Sequence, residues 1–265
     1  MSERAPSLAE VADILHEIAP LELAAEWDNT GLLVAPRRVR RVARVMLTID
    51  LTDAVVAEAA AAKAQLVVAY HPPIFKPLRK LSHEHGRQRV LLEAIAAGLA
   101  VYSPHTALDA AGGGLADWLA EGVLGGTEPD ELRPCGEGDF GRLVRLPKPL
   151  PFAELVRRAK RHLGVARLTV ARPPLMPAKV RTIAVAAGAG GSIVRGVGAD
   201  AVLTGEMSHH DALDALAEGS VVLLAGHSNT ERGYLPVLKK RLALAFGKDL
   251  DVRISRRDRD PFAMV

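Results

Sequence analysis

Cysteine is nearly missing from this chain of 265 residues: Cys135 stands alone, so no intrachain disulfide can form and a thiolate zinc cluster is excluded. Aromatic residues make up only 4%, too few for the stacking platform that binds single-stranded nucleic acid. No apolar run approaches the ~20 residues needed to span a bilayer, which argues against a membrane helix. Charge of one sign is not in excess either. Lys and Arg number 34 against 31 Asp and Glu, and a net +3 is too small a margin to argue for a nucleic-acid partner. The Arg-rich end, from Arg253 to Arg259, reads as a solvated tail. The opening residues, Met1 to Pro6, lead into an amphipathic pattern and not into the apolar core of a signal peptide, so a reducing cytoplasm is the expected address. Two familiar catalytic signatures are also wanting. There is no Gly-x-Ser-x-Gly elbow, and Gly188-Ala189-Gly190-Gly191 lacks the spacing of either common phosphate loop, which leaves it as a tight turn at a helix start.

What is present is a regular alternation. Short apolar runs at 42–49, 66–69, 99–102, 143–146, 168–171, 183–187, 201–203, 221–225 and 252–254 are separated by helical patterns such as 52–64, 87–97, 152–163, 209–217 and 234–246. Strands that are apolar nearly throughout, alternating with helices, indicate sheets covered on both faces, so the fold class is α/β. A glycine-rich stretch at 122–141 reads as a lobe boundary or long surface loop, and a proline cluster at 172–177 separates two strand candidates.

Ligands of open α/β sheets collect beyond the carboxyl ends of the strands, so the first polar residues after each apolar run are the informative ones. One run delivers Asp50 and the next Tyr70 and His71; a third delivers His105, with Asp109 four residues on. The run 221–225 delivers His227, again with a carboxylate, Glu231, four residues on. Three of the nine histidines therefore occupy equivalent topological places. Imidazole and carboxylate together suit zinc, manganese, iron or nickel, and a carboxylate can bridge two cations. Each residue alone has a second reading. A histidine at a strand end is often a hydrogen-bonded structural group, Asp109 could cap the next helix, and Glu231 could close a capping box with Ser228. The segment from Thr204 to Asp211 carries a Ser208/Asp211 cap pattern, while Glu206, His209 and His210 could form a second polar cluster. His83 and His85 read as loop residues, and His16 and His162 as surface positions on amphipathic helices.

The motifs Glu26-Trp27-Asp28-Asn29-Thr30-Gly31-Leu32, Tyr70-His71-Pro72-Pro73-Ile74-Phe75, His105-Thr106-Ala107-Leu108-Asp109, Thr204-Gly205-Glu206 and Gly226-His227-Ser228-Asn229-Thr230-Glu231 occur in this order over nearly the whole chain. In that set the chain resembles the Ngg-interacting-factor family, often labelled GTP cyclohydrolase I type 2-like. The resemblance implies two α/β lobes with helices on mixed sheets, a dinuclear metal centre between them, and ring-shaped homo-oligomers, commonly hexamers. It places the metal ligands on His71, Asp109, His227 and Glu231. Family members often carry a second imidazole where this chain has Tyr70, so one or two divalent ions are expected, in unequal sites. For the ligands to meet, the chain would leave the first lobe near residue 124 and return near 226. That makes 1–124 with 226–265 the lobe carrying most ligands and 125–225 the second, with the strand at 252–254 completing the first sheet. The expected function is a metal-dependent hydrolase of a nucleotide-like or phosphorylated small molecule. His105 would transfer protons, and Tyr70, Glu206, His209 and His210 would line the cleft or support the ligands. The alternative is a metal-binding or protein-interaction ring without turnover.

Overall fold

The computed structural model describes residues 5–175 and 178–262. Residues 1–4, 176–177 and 263–265 lie outside it, so part of the opening pattern and of the proline cluster are not described. Helix α1 (Leu8–Ile18) opens with a capping box: the Ser7 hydroxyl accepts from the Glu10 amide at 3.1 Å, and the Glu10 carboxylate accepts from the Ser7 amide at 2.6 Å. Strand β1 (Gly31–Val34) and strand β2 (Arg44–Thr48) follow, then helix α2 (Asp53–Ala61), β3 (Leu66–Ala69), helix α3 (Gly86–Ala96), β4 (Ala100–Ser103) and helix α4 (His105–Ala110). Strands β2, β3 and β4 run parallel, and β1 lies antiparallel on β4. Their apolar runs are buried almost throughout, because helices cover both faces. On one face Met46, Val67 and Val101 meet Val56 and Ala59 of α2 and Val90, Leu91 and Ala94 of α3.

The chain then builds a second unit. Helix α5 (Leu115–Leu124) leads into β5 (Glu131–Cys135), β6 (Gly141–Pro151), helix α6 (Phe152–Leu163), β7 (Thr169–Ala171), β8 (Lys179–Ala186), helix α7 (Gly191–Val194), β9 (Ala201–Thr204), helix α8 (His209–Ala217) and β10 (Val221–Leu224). The sheet order is β5-β6-β8-β9-β10-β7, with β8, β9 and β10 parallel and the outer pairings antiparallel. Helix α9 (Leu235–Phe246) and β11 (Asp251–Ile254) return to the first unit, where β11 pairs parallel with β2. The last strand thus completes the first sheet, in the order β1-β4-β3-β2-β11. The α/β expectation holds in the form of two mixed sheets, and among the described residues no helix is long and apolar enough to cross a membrane.

Other expectations need correction. Contacts divide the chain into residues 1–108 with 235–265 and residues 109–234, instead of near 124 and 226. The cause is α5, which buries Leu115, Ala116, Leu119 and Ala120 and packs on α6, β6 and β8. His227 and Glu231 accordingly belong to the second unit. The stretch expected as a boundary loop contains β5, an exposed edge strand whose Pro134 leaves no apolar signature to find. The arginine-rich end is pinned rather than loose. Arg256 and Arg257 are exposed, but buried Asp258 accepts from the Ile49 amide at 2.8 Å.

Candidate metal centre

In the first unit the parallel ladder continues past the strands. The Tyr70 amide donates to Thr48 O at 2.9 Å and the His71 amide to Ile49 O at 3.0 Å. This register sets Asp50, just beyond β2, beside His71, just beyond β3, and His71 Nδ1 lies 3.0 Å from Asp50 Oδ1. An ionised carboxylate only accepts, so Nδ1 is the protonated nitrogen and Nε2 is left as a lone-pair donor.

His105 is held the same way by a residue from the segment before β1. Its Nδ1 stands 2.8 Å from both oxygens of Asp28, whose Oδ2 also accepts from the Thr106 amide at 3.1 Å and the Thr106 hydroxyl at 2.5 Å. Burial alone would raise the Asp28 carboxyl, but the hydrogen bond and charge of His105, with the two Thr106 donors, outweigh it and hold the group below its usual range. The backbone of His105 has φ +29°, a conformation rare for a residue with a side chain and one that persists because Asp28 and Thr106 tie it down. Buried Tyr70 packs against both imidazoles, with ring centroids 5.0 Å from His71 and 5.5 Å from His105, which themselves meet edge to face at 5.6 Å, and Ser103 Oγ donates to the Tyr70 carbonyl at 2.7 Å.

In the second unit the ends of three parallel strands converge. Glu206, two residues past β9, lies 3.0 Å from His227 Nδ1, and Glu231, only 1% exposed, lies 3.3 Å from His227 Nε2. Glycine makes room for this arrangement. A Cβ on Gly188, which follows β8, would stand 2.6 Å from Glu231 Oε1 and 3.1 Å from His227 Nε2, and one on Gly205 would stand 2.9 Å from His227 Cα. The Gly188 amide donates to Thr230 Oγ1 at 2.8 Å, and that hydroxyl donates to His227 O at 2.7 Å. The glycine turn set aside as lacking a phosphate-loop pattern is the floor beneath this carboxylate and imidazole.

No side chain caps the turn at Ser228–Thr230, and the N-cap of α5 is Gly114, again without a side-chain cap. Asp109 is buried at the end of α4, beside Ala110 and Ala111, whose carbonyls accept from the buried Arg142 guanidinium at 2.9 and 3.3 Å. His209 and His210 are exposed at the start of α8, edge to face with each other at 5.6 Å, and Ser208 caps that helix by accepting from the Asp211 amide at 3.1 Å. Of the second polar cluster, only Glu206 therefore meets the strand-end histidine. His162 is half-buried and not a surface residue: its ring packs 4.2 Å from that of Trp118, and burial pushes its pKa down. The Cys135 thiol, pushed up to about 11 by burial, is inert as a nucleophile.

Asp28, Asp50, Gly188 and Thr230 are the residues that strand-end reading under-weighted. Asp28 and Asp50 act through histidines 77 and 21 residues further along the chain, a relationship that no local pattern shows. Taken as donors, His71, His227 and Glu231 are a set that could hold a metal ion, two of them imidazoles clamped through Nδ1 by a carboxylate.

Known proteins carry the same plan. A family model described as Duf34/NIF3 (NGG1p interacting factor 3) matches residues 6–261. The "Protein NIF3 homolog" of Schizosaccharomyces pombe is 42% identical, with 95% of this chain and 96% of that protein aligned. "NIF3-like protein 1" of Drosophila melanogaster is 38% identical over 97% of this chain and 89% of its own. The crystal structure of a Bacillus cereus protein related to NIF3 superposes with a TM-score of 0.83, covering 99% of this chain and 100% of that one at 21% identity, which speaks for the fold alone.

Proposed function

The chain belongs to the Duf34/NIF3 family, and from that premise we propose that it is a metal-dependent hydrolase acting on a nucleotide-like or phosphorylated small molecule. The observation that carries this reading is the repeated clamp. His71, His105 and His227 each have Nδ1 against a carboxylate, which fixes the ring and turns Nε2 away from that clamp. His71, His227 and Glu231 would hold one divalent ion, zinc, iron, manganese or nickel by donor type. Asp109 is the further acidic ligand that a second ion would need. When bound, such a cation supplies the Lewis acidity that makes water a nucleophile near neutral pH.

The chain's own residues do the rest. Asp50 and Glu206 orient the ligand imidazoles, and the negative charge of Glu231 offsets that of the cation. His105 accepts the proton at Nε2 while Asp28 holds the ring in place and in the right tautomer. The test is release of product from a panel of nucleotides by metal-loaded protein, set against a His71→Ala/Glu231→Ala double variant. Metal-dependent turnover in the parent and none in the variant is expected; equal rates in both would defeat the reading. A second reading, a metal-binding homo-oligomeric ring without turnover, commonly a hexamer in the resembling family, is favoured by the family's description as an interacting factor. It predicts a ring in sedimentation and no turnover of any panel member.

A further inference from the structure

Two large aromatic side chains of the first unit are left in solvent beside the proton-transfer histidine. Trp27 is 58% exposed and Phe75 is 41% exposed, in a chain with few aromatics to spare. Their ring centroids lie 5.8 Å apart at 53°, and each is edge-on to the His105 ring, Trp27 at 6.1 Å and Phe75 at 6.2 Å. Exposed aromatics on slack loops would swing away, but these two loops are cross-braced. Asn29 Nδ2 donates to Ile74 O at 2.5 Å, the Ala25 amide donates to Thr106 Oγ1 at 3.0 Å, and Asp28 binds both His105 and Thr106. The residues flanking Trp27 and Phe75 are thus fixed to each other and to the start of α4. Such a pair offers a rigid π surface at low entropic cost, which suits a flat ring. The segment after Phe75 adds charge of one sign: Lys76, Arg79 and Lys80 are all exposed, with no acid among residues 75–80. Cations so placed disfavour a quaternary ammonium guest and favour an anionic one.

We propose that Trp27 and Phe75 form a stacking subsite for a planar aromatic ring that carries an anionic group, with Lys76, Arg79 and Lys80 facing the anion. The proposal deepens the proposed function and rests on it for what happens after binding, since the ring would lie beside His105. Binding itself can be read without turnover. The chain has two tryptophans, and Trp118 is buried, so a Trp118→Phe background makes Trp27 the sole indole reporter. Adenosine 5′-monophosphate, adenosine and ribose 5-phosphate are titrated in turn, with phosphate release followed in the same samples. Saturable quenching is expected with the nucleotide, weaker binding with the nucleoside, and none with the sugar phosphate. Phe75→Ala and Phe75→Leu should each weaken nucleotide binding by about tenfold or more, because both remove the π face and the second keeps apolar bulk. Replacing Lys76, Arg79 and Lys80 together by Ala should bring the nucleotide down to the affinity of the nucleoside. Absence of saturable quenching by either aromatic probe would overturn the subsite, as would unchanged affinity in both Phe75 variants. Trp27 emission that varies with protein concentration in the absence of probe would also overturn it, by showing a second copy of the chain on the patch. Binding here, with no product released from any member of the nucleotide panel by metal-loaded protein, would sink the hydrolase reading and leave the subsite standing.

Discussion

A Cβ on Gly188 would stand 2.6 Å from Oε1 of Glu231, so the bare backbone of one strand end is what admits the buried carboxylate of another. Gly188 also has φ +56°, where any other residue is strained. Gly188→Ala should therefore displace Glu231 and strip the protein of metal while leaving its helix and strand content intact. Metal per chain after dialysis, read beside circular dichroism, checks this. Full retention of metal would mean that Glu231 does not hold it.

Asp28 touches no ligand donor of the proposed metal set but holds His105 by both oxygens. Asp28→Asn keeps the size but replaces an acceptor-only carboxylate by an amide that can also donate, so the His105 tautomer is no longer fixed. Turnover should fall by about 10²–10⁴-fold with metal content unchanged. A variant that loses metal in proportion to activity would show Asp28 to be merely structural.

Tyr70 stands where the resembling family often has a second imidazole, and its ring lies 5.0 Å from that of His71. A phenol of ordinary pKa, about 10, is a poor ligand at neutral pH. Calorimetric titration of the metal-free parent should resolve two unequal steps, and Tyr70→His should strengthen the weaker one. Two equal steps in the parent, unmoved by the substitution, would rule out the asymmetry.

Arg142 is buried in β6, paired with Asp117 and donating to the carbonyls of Ala110 and Ala111 just after Asp109. Its removal leaves these acceptors and the Asp117 carboxylate uncompensated. Arg142→Met should lower the unfolding free energy by about 3 kcal/mol or more, with a partial recovery when Asp117→Ala is added. Urea titration of the single and double variants measures both numbers; additive losses would show that the pair is not coupled.

Glu58 pins the arginine-rich end: its carboxylate accepts from the Ser255 hydroxyl at 2.5 Å, the Arg256 amide at 3.0 Å and the Arg257 amide at 3.2 Å. Burial pulls its pKa upward, but these donors outweigh it and hold the group below its ordinary 4.5. A depressed folded pKa means that the stabilisation is complete above the unfolded value and is lost as pH falls through the folded one. The parent should thus exceed Glu58→Gln in stability at neutral pH, and the gap should close below about pH 4.5. A gap that stays constant into acid would show that the charge of Glu58 is not what holds the end.

The α/β class was legible in the sequence because buried parallel strands leave uninterrupted apolar runs, and the first polar residue after each run marks the end where ligands gather. His71, His105 and His227 each stand just past such a run, and the last strand returns to the first sheet as the spacing of the candidate ligands required. Tertiary structure alone decided what faces each Nδ1. Asp28 is 77 residues from His105, and Asp50 and Glu206 each lie 21 residues from their histidines, distances that no periodicity encodes. It also decided the unit boundaries, since α5 follows the neighbour it can bury against and not the nearest glycines. The edge strand β5 left no trace for a similar reason: an exposed strand has no apolar face to write into its sequence. Gly188 is the sharpest case. Its sequence says only that a turn is permitted, while the requirement for glycine comes from a carboxylate that reaches it from 43 positions further along the chain.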